Sequence, residues 1–425
     1  SSYFSYLPIA RGTLAPHPSV HGRVRRRGRL RWWPSAAARL RMEGALSSLR
    51  AGKLEGVLRA PTFYVETERQ SSTLATFQRR EELVLDVIHR NKILCFHAKE
   101  YQKQHPDKAK RKIRDADVTM ESPMILGVAD GVSQIEDFGI DASELPKELL
   151  HTCQHLGATK LDPASSTFLP QDRYRGPIPL LREAFELTES LGSTTAVLAL
   201  LDNSTKIHGK PHPMIAVITV GDCQLIMLRR TQVPVSESRF EEVFKTEMQR
   251  IDGHVQTPLQ IARIGKDVDP NFHDGITVEV IERGSGVHCV SAYEGDLVVM
   301  GSDGVFDNLF PDEVRDICNS ILPPGTLVPT PEDKMRELAE TIVLAAHEKT
   351  YLGPDGRTRD TPIGRGGKVD DTAVVVGEVV EWTEERARCW RQRSPIQPRC
   401  GLWQWCECPG ECEVEETIDV EDDSE

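Results

Sequence analysis

Two stretches of the chain end alike: "ILGVADGV" (Ile125–Val132) and "VVMGSDGV" (Val298–Val305), each an apolar run that closes on a small residue, Asp, Gly and Val. A carboxylate at the end of a buried strand is costly unless something positive meets it. Further acids stand in comparable positions: Asp222 in "VITVGDCQLIML", and the pair Asp370 and Asp371 in "GGKVDDTAVVV". Hard divalent cations such as Mg²⁺ or Mn²⁺ take oxygen shells of carboxylates, carbonyls and waters. Rigid strand ends hold such oxygens in place, and a Gly after the Asp lets its backbone carbonyl approach an ion. Two ions sharing a bridging Asp can activate a water and clamp a phosphoryl oxygen. A lone Asp-Gly pair is simply a turn after a strand; its repetition at several strand ends points to a metal centre.

The elements that must carry these acids are short apolar runs bounded by Gly, Asp or Asn. Strands are expected at Met124 to Ala129, Thr195 to Leu201, Met214 to Val220, Gln224 to Leu228, Asp296 to Met300 and Thr372 to Gly377. Gly221-Asp222 between two apolar runs is the strongest hairpin signal in the chain. Thr330-Pro331-Glu332-Asp333 offers a helix start, and behind it Met335, Leu338, Ala339, Ile342, Val343 and Ala346 share one helical face. Ser143 to Leu156 and Pro179 to Leu191 are weaker amphipathic helices. Strands and helices come in clusters, which favours an α+β fold over a parallel βαβ sheet.

At 425 residues, 39% hydrophobic and 28% charged, the chain has ample material for a core. A net charge of −13 argues against nucleic acid as a ligand. No apolar run approaches the roughly 20 residues of a membrane-spanning helix. Cysteines between Cys95 and Cys318 show no pair-like spacing and read as reduced thiols. Three regions are expected: a basic extension over 1–60, a globular domain over 90–380, and an acidic tail over 381–425, read as disordered. Residues 1–42 hold nine Arg and no acid, the composition of an organelle transit peptide. The chain is therefore expected in mitochondrion or plastid if that segment targets it, and otherwise in the cytoplasm. Cys400, Cys406, Cys408 and Cys412 of the tail match no standard zinc spacing.

"GVADGV", "GSTTAV", "TVGDCQLIML", "VMGSDGVFDN" and "RGGKVDDTAVVV" resemble the ordered motifs of the metal-dependent type 2C Ser/Thr protein phosphatases. The nearest resemblance is to the subgroup of the mitochondrial phosphatase 2C homologue 7 and its plant relatives. "HPDK" (His105 to Lys108) resembles the plant members' approach to their first motif. The resemblance implies a four-layered β-sandwich, two antiparallel sheets flanked by helices, with a binuclear Mn²⁺ or Mg²⁺ centre at one end. It implies hydrolysis of phosphoserine and phosphothreonine in phosphoprotein substrates, in one step and without a phosphoenzyme. In that frame Asp130 bridges both ions, Gly131 lends its carbonyl, and Asp303 and Asp370 complete the first ion's shell. Asp222 stands where the family can hold a weaker third ion, with a turn aspartate the equal alternative. Asp115 and Asp371 are expected as additional ligands or beside the ligands.

One departure is pronounced. The family's first motif carries an acid before Asp-Ala, and here Arg114 precedes Asp115-Ala116. A guanidinium ligates no cation and repels one. Arg114 is thus expected beside the second ion, weakening it, or as a phosphate clamp, with Lys112 a second candidate for that role and Asp117 a substitute ligand. A pseudophosphatase that binds phosphoproteins is the alternative function. "DADVT" (Asp115 to Thr119) also fits the nucleophile loop of haloacid-dehalogenase-type phosphatases, but the preceding "DKAKRKIR" is too charged for the buried strand which that loop requires.

Overall fold

The long apolar runs of the sequence become strands buried on both faces. A computed structural model describes residues 92–111, 113–163, 173–231, 238–252 and 255–393. The strands of the two main sheets are β1 (Leu94–Lys103), β2 (Asp117–Met120), β3 (Ile125–Gly131), β4 (Gly192–Asp202), β5 (Met214–Val220), β6 (Gln224–Arg230), β7 (Phe240–Lys245), β8 (Ile261–Arg263), β9 (Gly286–Ser291), β10 (Leu297–Gly301) and β11 (Thr372–Glu381). One sheet runs β1–β11–β10–β6–β7, the other β9–β5–β4–β3–β2 with β8 paired to the start of β4, and every pairing is antiparallel.

Alternation along each strand builds the layers. Leu126 and Val128 of β3, with Val197, Ala199 and Val217, meet Met227, Val298, Met300 and Val375 of the other sheet in the central core. Ile125 and Ala129 face outward, under Leu149, Leu150 and Cys153 of helix α2 (Glu144–Lys160) and Leu180 and Phe185 of helix α3 (Pro177–Leu187). Leu297, Val299, Val374 and Val376 of the second sheet face α5 (Pro311–Ile321) and α6 (Glu332–Glu348) through Val314, Leu338 and Ile342. Strands covered on both sides show no polar alternation, which is why they read as continuous runs. Each fully buried Leu, Val or Phe contributes roughly 1.5–3 kcal/mol. The result is the α+β, four-layered sandwich.

Three expectations change. Gly221-Asp222 does not close a hairpin: β5 and β6 belong to opposite sheets, and the pair is a corner between them. Gly221 holds φ 101° there, and a Cβ would lie 2.5 Å from Thr195 Cγ2. Thr330 does not cap α6; its N–H and hydroxyl both donate to Glu378, at 2.6 and 3.0 Å. Of the tail expected to be disordered over 381–425, the described part forms helix α7 (Glu384–Arg393), with Ala387 buried and Trp382 packed on the core, and residues 394–425 lie outside the described residues. The basic segment 1–60 and the tail cysteines Cys400, Cys406, Cys408 and Cys412 lie outside the described residues. The described cysteines are free thiols. No helix among the described residues is long and apolar enough to cross a membrane.

Candidate metal centre

Strand ends at one pole of the sandwich bring the acids together. Asp130 and Gly131 close β3, and Asp303 opens the short helix α4 (Asp303–Phe306) directly after β10. Asp222 sits on the corner that enters β6, and Asp370 and Asp371 stand just ahead of β11. Carboxylate oxygens of Asp130, Asp222 and Asp303 lie within 4.8 Å of one another, and all three residues are buried. The backbone around Gly131 is tight: a Cβ there would lie 2.2 Å from the Ala142 carbonyl oxygen and 2.9 Å from that of Ala116.

Three cations reach into this cluster. Lys108, on helix α1 (Pro106–Lys110), donates to Asp370 Oδ1 at 2.8 Å and to Asp371 Oδ2 at 2.6 Å. Lys368 Nζ pairs with Asp303 Oδ2, with Asp370 Oδ2 at 2.9 Å and with Asp307 Oδ2 at 3.6 Å. Arg250 bridges Asp222, at 3.2 Å, and Asp307, at 2.8 Å. Even so, the carboxylates of Asp115, Asp117, Asp130, Asp222, Asp303, Asp307, Asp370 and Asp371 outnumber them.

The imbalance appears in proton affinities. Burial, reinforced by Asp303, raises Asp130 to about 8 and Asp222 to about 7. Burial also lifts Asp371 to about 6, against the pull of Lys108. Asp370 goes the other way: burial works against its charge, but Lys368 and Lys108 hold it well below the usual carboxylate range. These are groups whose charged forms call for positive charge that the protein only partly supplies.

The residues fit a hard divalent cation on two observations. Asp303 Oδ1 and Asp222 Oδ1 are buried and have no hydrogen-bond partner among the described residues. Such orphaned oxygens are rare and need a ligand or ion to explain them. The donor set is also all oxygen, as Mg²⁺ and Mn²⁺ require.

Asp115 is partly buried, its Oδ1 accepting the Asp117 N–H at 3.1 Å, and it precedes β2 instead of ending a buried strand. Asp117 is buried inside the cluster. Arg114 is not pressed against the ligands: its side chain is 71% exposed and pairs with Asp141. That corrects the expectation of a guanidinium lodged beside an ion, since the side chain takes a solvated partner instead. Lys112 lies outside the described residues. Sequence reasoning passed over Lys108, Lys368, Asp307 and Arg250 as parts of the site. The first three sit inside quoted motifs, "HPDK", "GGKVDD" and "DGVFDN"; Arg250 carries no local signal.

No protein-family model matches the chain. Among curated proteins it is similar to "Probable protein phosphatase 2C 1" of Oryza sativa subsp. japonica, 28% identical over 291 residues, 65% of this chain and 72% of the relative. It is 29% identical to "Probable protein phosphatase 2C 26" of Arabidopsis thaliana over 291 residues, 65% of this chain and 81% of the relative. The "Protein phosphatase PTC7 homolog" of Homo sapiens is 26% identical over 273 residues, 61% and 76% of the respective chains. Among solved structures, that of the photosystem II phosphatase PBCP aligns with TM-score 0.45 and 22% identity, over 67% of this chain and 98% of that one.

Proposed function

We propose that the chain is a protein phosphatase of the type 2C kind, hydrolysing phosphoserine and phosphothreonine in proteins at a binuclear Mn²⁺ or Mg²⁺ centre held by Asp130, Gly131, Asp303 and Asp370. The observation that carries this is the convergence of Asp130, Asp222 and Asp303 within 4.8 Å, with buried oxygens of Asp222 and Asp303 left unpartnered. When bound, such cations acidify water and neutralise phosphoryl oxygens.

The chain's own residues prepare for that chemistry. Asp130 is fixed through its backbone: Thr194 Oγ1 donates to the Asp130 carbonyl at 2.9 Å, and strand pairing locks both neighbours. Gly131 lets the strand end pack closely against Ala142 and Ala116, where no Cβ fits. Lys108 grips Asp370 through Oδ1, which fixes the carboxylate's orientation, and Lys368 and Lys108 together keep it ionised. Asp222 remains in this reading a candidate for a further ion, and Asp115, Asp117 and Asp371 tune the charge around the ligands.

Turnover of an aryl phosphate and of a phosphoserine peptide by purified protein, titrated with MnCl₂, tests the reading. Activity should appear only with metal and saturate. A well-folded protein without turnover at any Mn²⁺ concentration would be a pseudophosphatase. Targeting to mitochondrion or plastid by the acid-free segment 1–42 is the cellular part of the proposal. A fluorescent fusion of the whole chain that stays diffuse in the cytosol would overturn that part alone.

A further inference from the structure

Among the cations of the site, Lys368 is the one whose close partners are both proposed metal ligands. Its Nζ contacts Asp303 Oδ2 and lies 2.9 Å from Asp370 Oδ2, and its side chain is only 13% exposed. Lys108 keeps Asp371 whatever happens at Asp370. Arg250 keeps a two-oxygen grip on Asp307, at 2.8 and 2.9 Å. Lys368 has no comparable reserve; its third contact, Asp307 Oδ2, is 3.6 Å away on a carboxylate that Arg250 already holds.

The Lys368 backbone is pinned. Its N–H donates to Asn308 Oδ1 at 2.7 Å, and Asn308 Nδ2 donates back to its carbonyl at 3.0 Å. The same amide nitrogen donates to the Gly304 carbonyl at 2.8 Å, tying Lys368 to the helix that bears Asp303. Any change of partner must therefore come from the four-carbon side chain, which is flexible and carries three donors.

With Asp370 Oδ1 held by Lys108, a divalent cation reaches Asp370 through Oδ2, and it cannot share that oxygen with the Lys368 ammonium, because like charges a few ångströms apart repel strongly in a poorly screened site. Lys368 must leave Asp370 Oδ2 for that oxygen to take up a metal, and a buried cation without an anion is costly. The anion that the reaction brings is a phosphate. Arg114, which sequence alone offers for that role, is turned to the surface on Asp141.

We infer that Lys368 is a phosphate-binding residue of this site, resting on the ligand carboxylates of the metal-free protein and moving to the phosphate once metal displaces it. The inference rests on the metal-centre reading above and assigns one further residue to that reaction.

The test is calorimetry of the full chain and its Lys368→Met variant, first MnCl₂ into metal-free protein, then inorganic phosphate into the Mn²⁺-loaded form. The variant should bind Mn²⁺ at least about tenfold more tightly and phosphate at least about tenfold more weakly. Acetic anhydride labelling of wild-type protein, read by mass spectrometry, keeps the question open to refutation should the variant fold poorly. Lys368 should be protected without metal, reactive with Mn²⁺, and protected again when phosphate is added. Unchanged Mn²⁺ affinity, unchanged phosphate affinity, or labelling indifferent to Mn²⁺ would each overturn the inference. Wild-type protein that binds no Mn²⁺ would instead overturn the metal-centre reading beneath it.

Discussion

Asp117 stands directly opposite Asp130 across the antiparallel pair β2–β3, and its Oδ2 accepts a hydrogen bond from Ser302 Oγ at 2.6 Å. Residues paired in this way share one face of the sheet, so both carboxylates point between the two sheets. Ser302 follows β10 of the opposite sheet and precedes α4, and its oxygen also accepts the Ala373 N–H at 3.2 Å. Asp117 thereby links the sheets immediately behind the metal centre. Asp117→Asn keeps an acceptor for Ser302 while removing a charge beside Asp130. The metal-free variant should melt at or above the wild-type temperature. Its Mn²⁺ affinity should fall at least about threefold, since a charge at short range in a half-screened site is worth on the order of a kcal/mol or more. Scanning calorimetry and Mn²⁺ titration together check both halves.

Asp303→Asn changes a charge and almost no volume in the residue that opens α4. Mn²⁺-dependent turnover should fall at least about a hundredfold, about 2.7 kcal/mol of transition-state stabilisation. The circular dichroism spectrum should not change. Near-wild-type rates in a folded variant would remove Asp303 from the catalytic set.

Gly304 permits the close approach of α4 to β11. A Cβ there would lie 2.0 Å from the Asp371 carbonyl oxygen and 3.0 Å from Thr372 Oγ1. Gly304→Ala must push the helix start away from the strand that follows Asp370, separating Asp303 from Asp370. Urea denaturation should show a loss of about 1–3 kcal/mol, the usual cost of overpacking, together with weaker Mn²⁺ binding.

What the sequence disclosed follows from burial. Strands β3, β4, β5, β6, β10 and β11 lie under cover on both faces, so their apolar runs stand out and their Asp ends could be picked out as candidate ligands. Edge strands did not stand out. β1 reads "LCFHAKEYQK" and β7 reads "FEEVFK", with polar side chains reaching solvent along much of their length. The Gly221-Asp222 corner misled because turn chemistry is local, whereas the choice between pairing with β5 and crossing to the other sheet is made by tertiary packing. Lys108 and Lys368 show the same limit. They are 260 residues apart in sequence and meet on the two oxygens of one carboxylate, Asp370.

Arg114 was expected to disturb the metal and is found on Asp141 at the surface. A guanidinium so exposed is largely screened by water and salt. Arg114→Ala should therefore change the half-saturating Mn²⁺ concentration by less than about threefold and stability by less than about 1 kcal/mol. A tenfold gain in Mn²⁺ affinity would return Arg114 to the neighbourhood of an ion.

His347, at the end of α6, donates or accepts at Thr372 Oγ1, 3.1 Å away, and its ring lies 5.0 Å from that of buried His105. Burial first, then the neighbouring His105 and Lys103, lowers His347 to about 4. His105 is lowered too, chiefly by burial. The native state thus declines a proton that the unfolded chain accepts near pH 6.5. The sign follows: this contribution to stability is complete above about pH 6.5 and is lost as pH falls towards 4, because the unfolded state there binds more protons. Urea midpoints measured at pH 7 and pH 5 should therefore differ more for the wild type than for His347→Gln, whose side chain hydrogen-bonds without titrating. Equal pH sensitivity of the two proteins would show that His347 protonates freely in the folded state, and that the α6–β11 junction beside Asp370 is more open to water than its packing indicates.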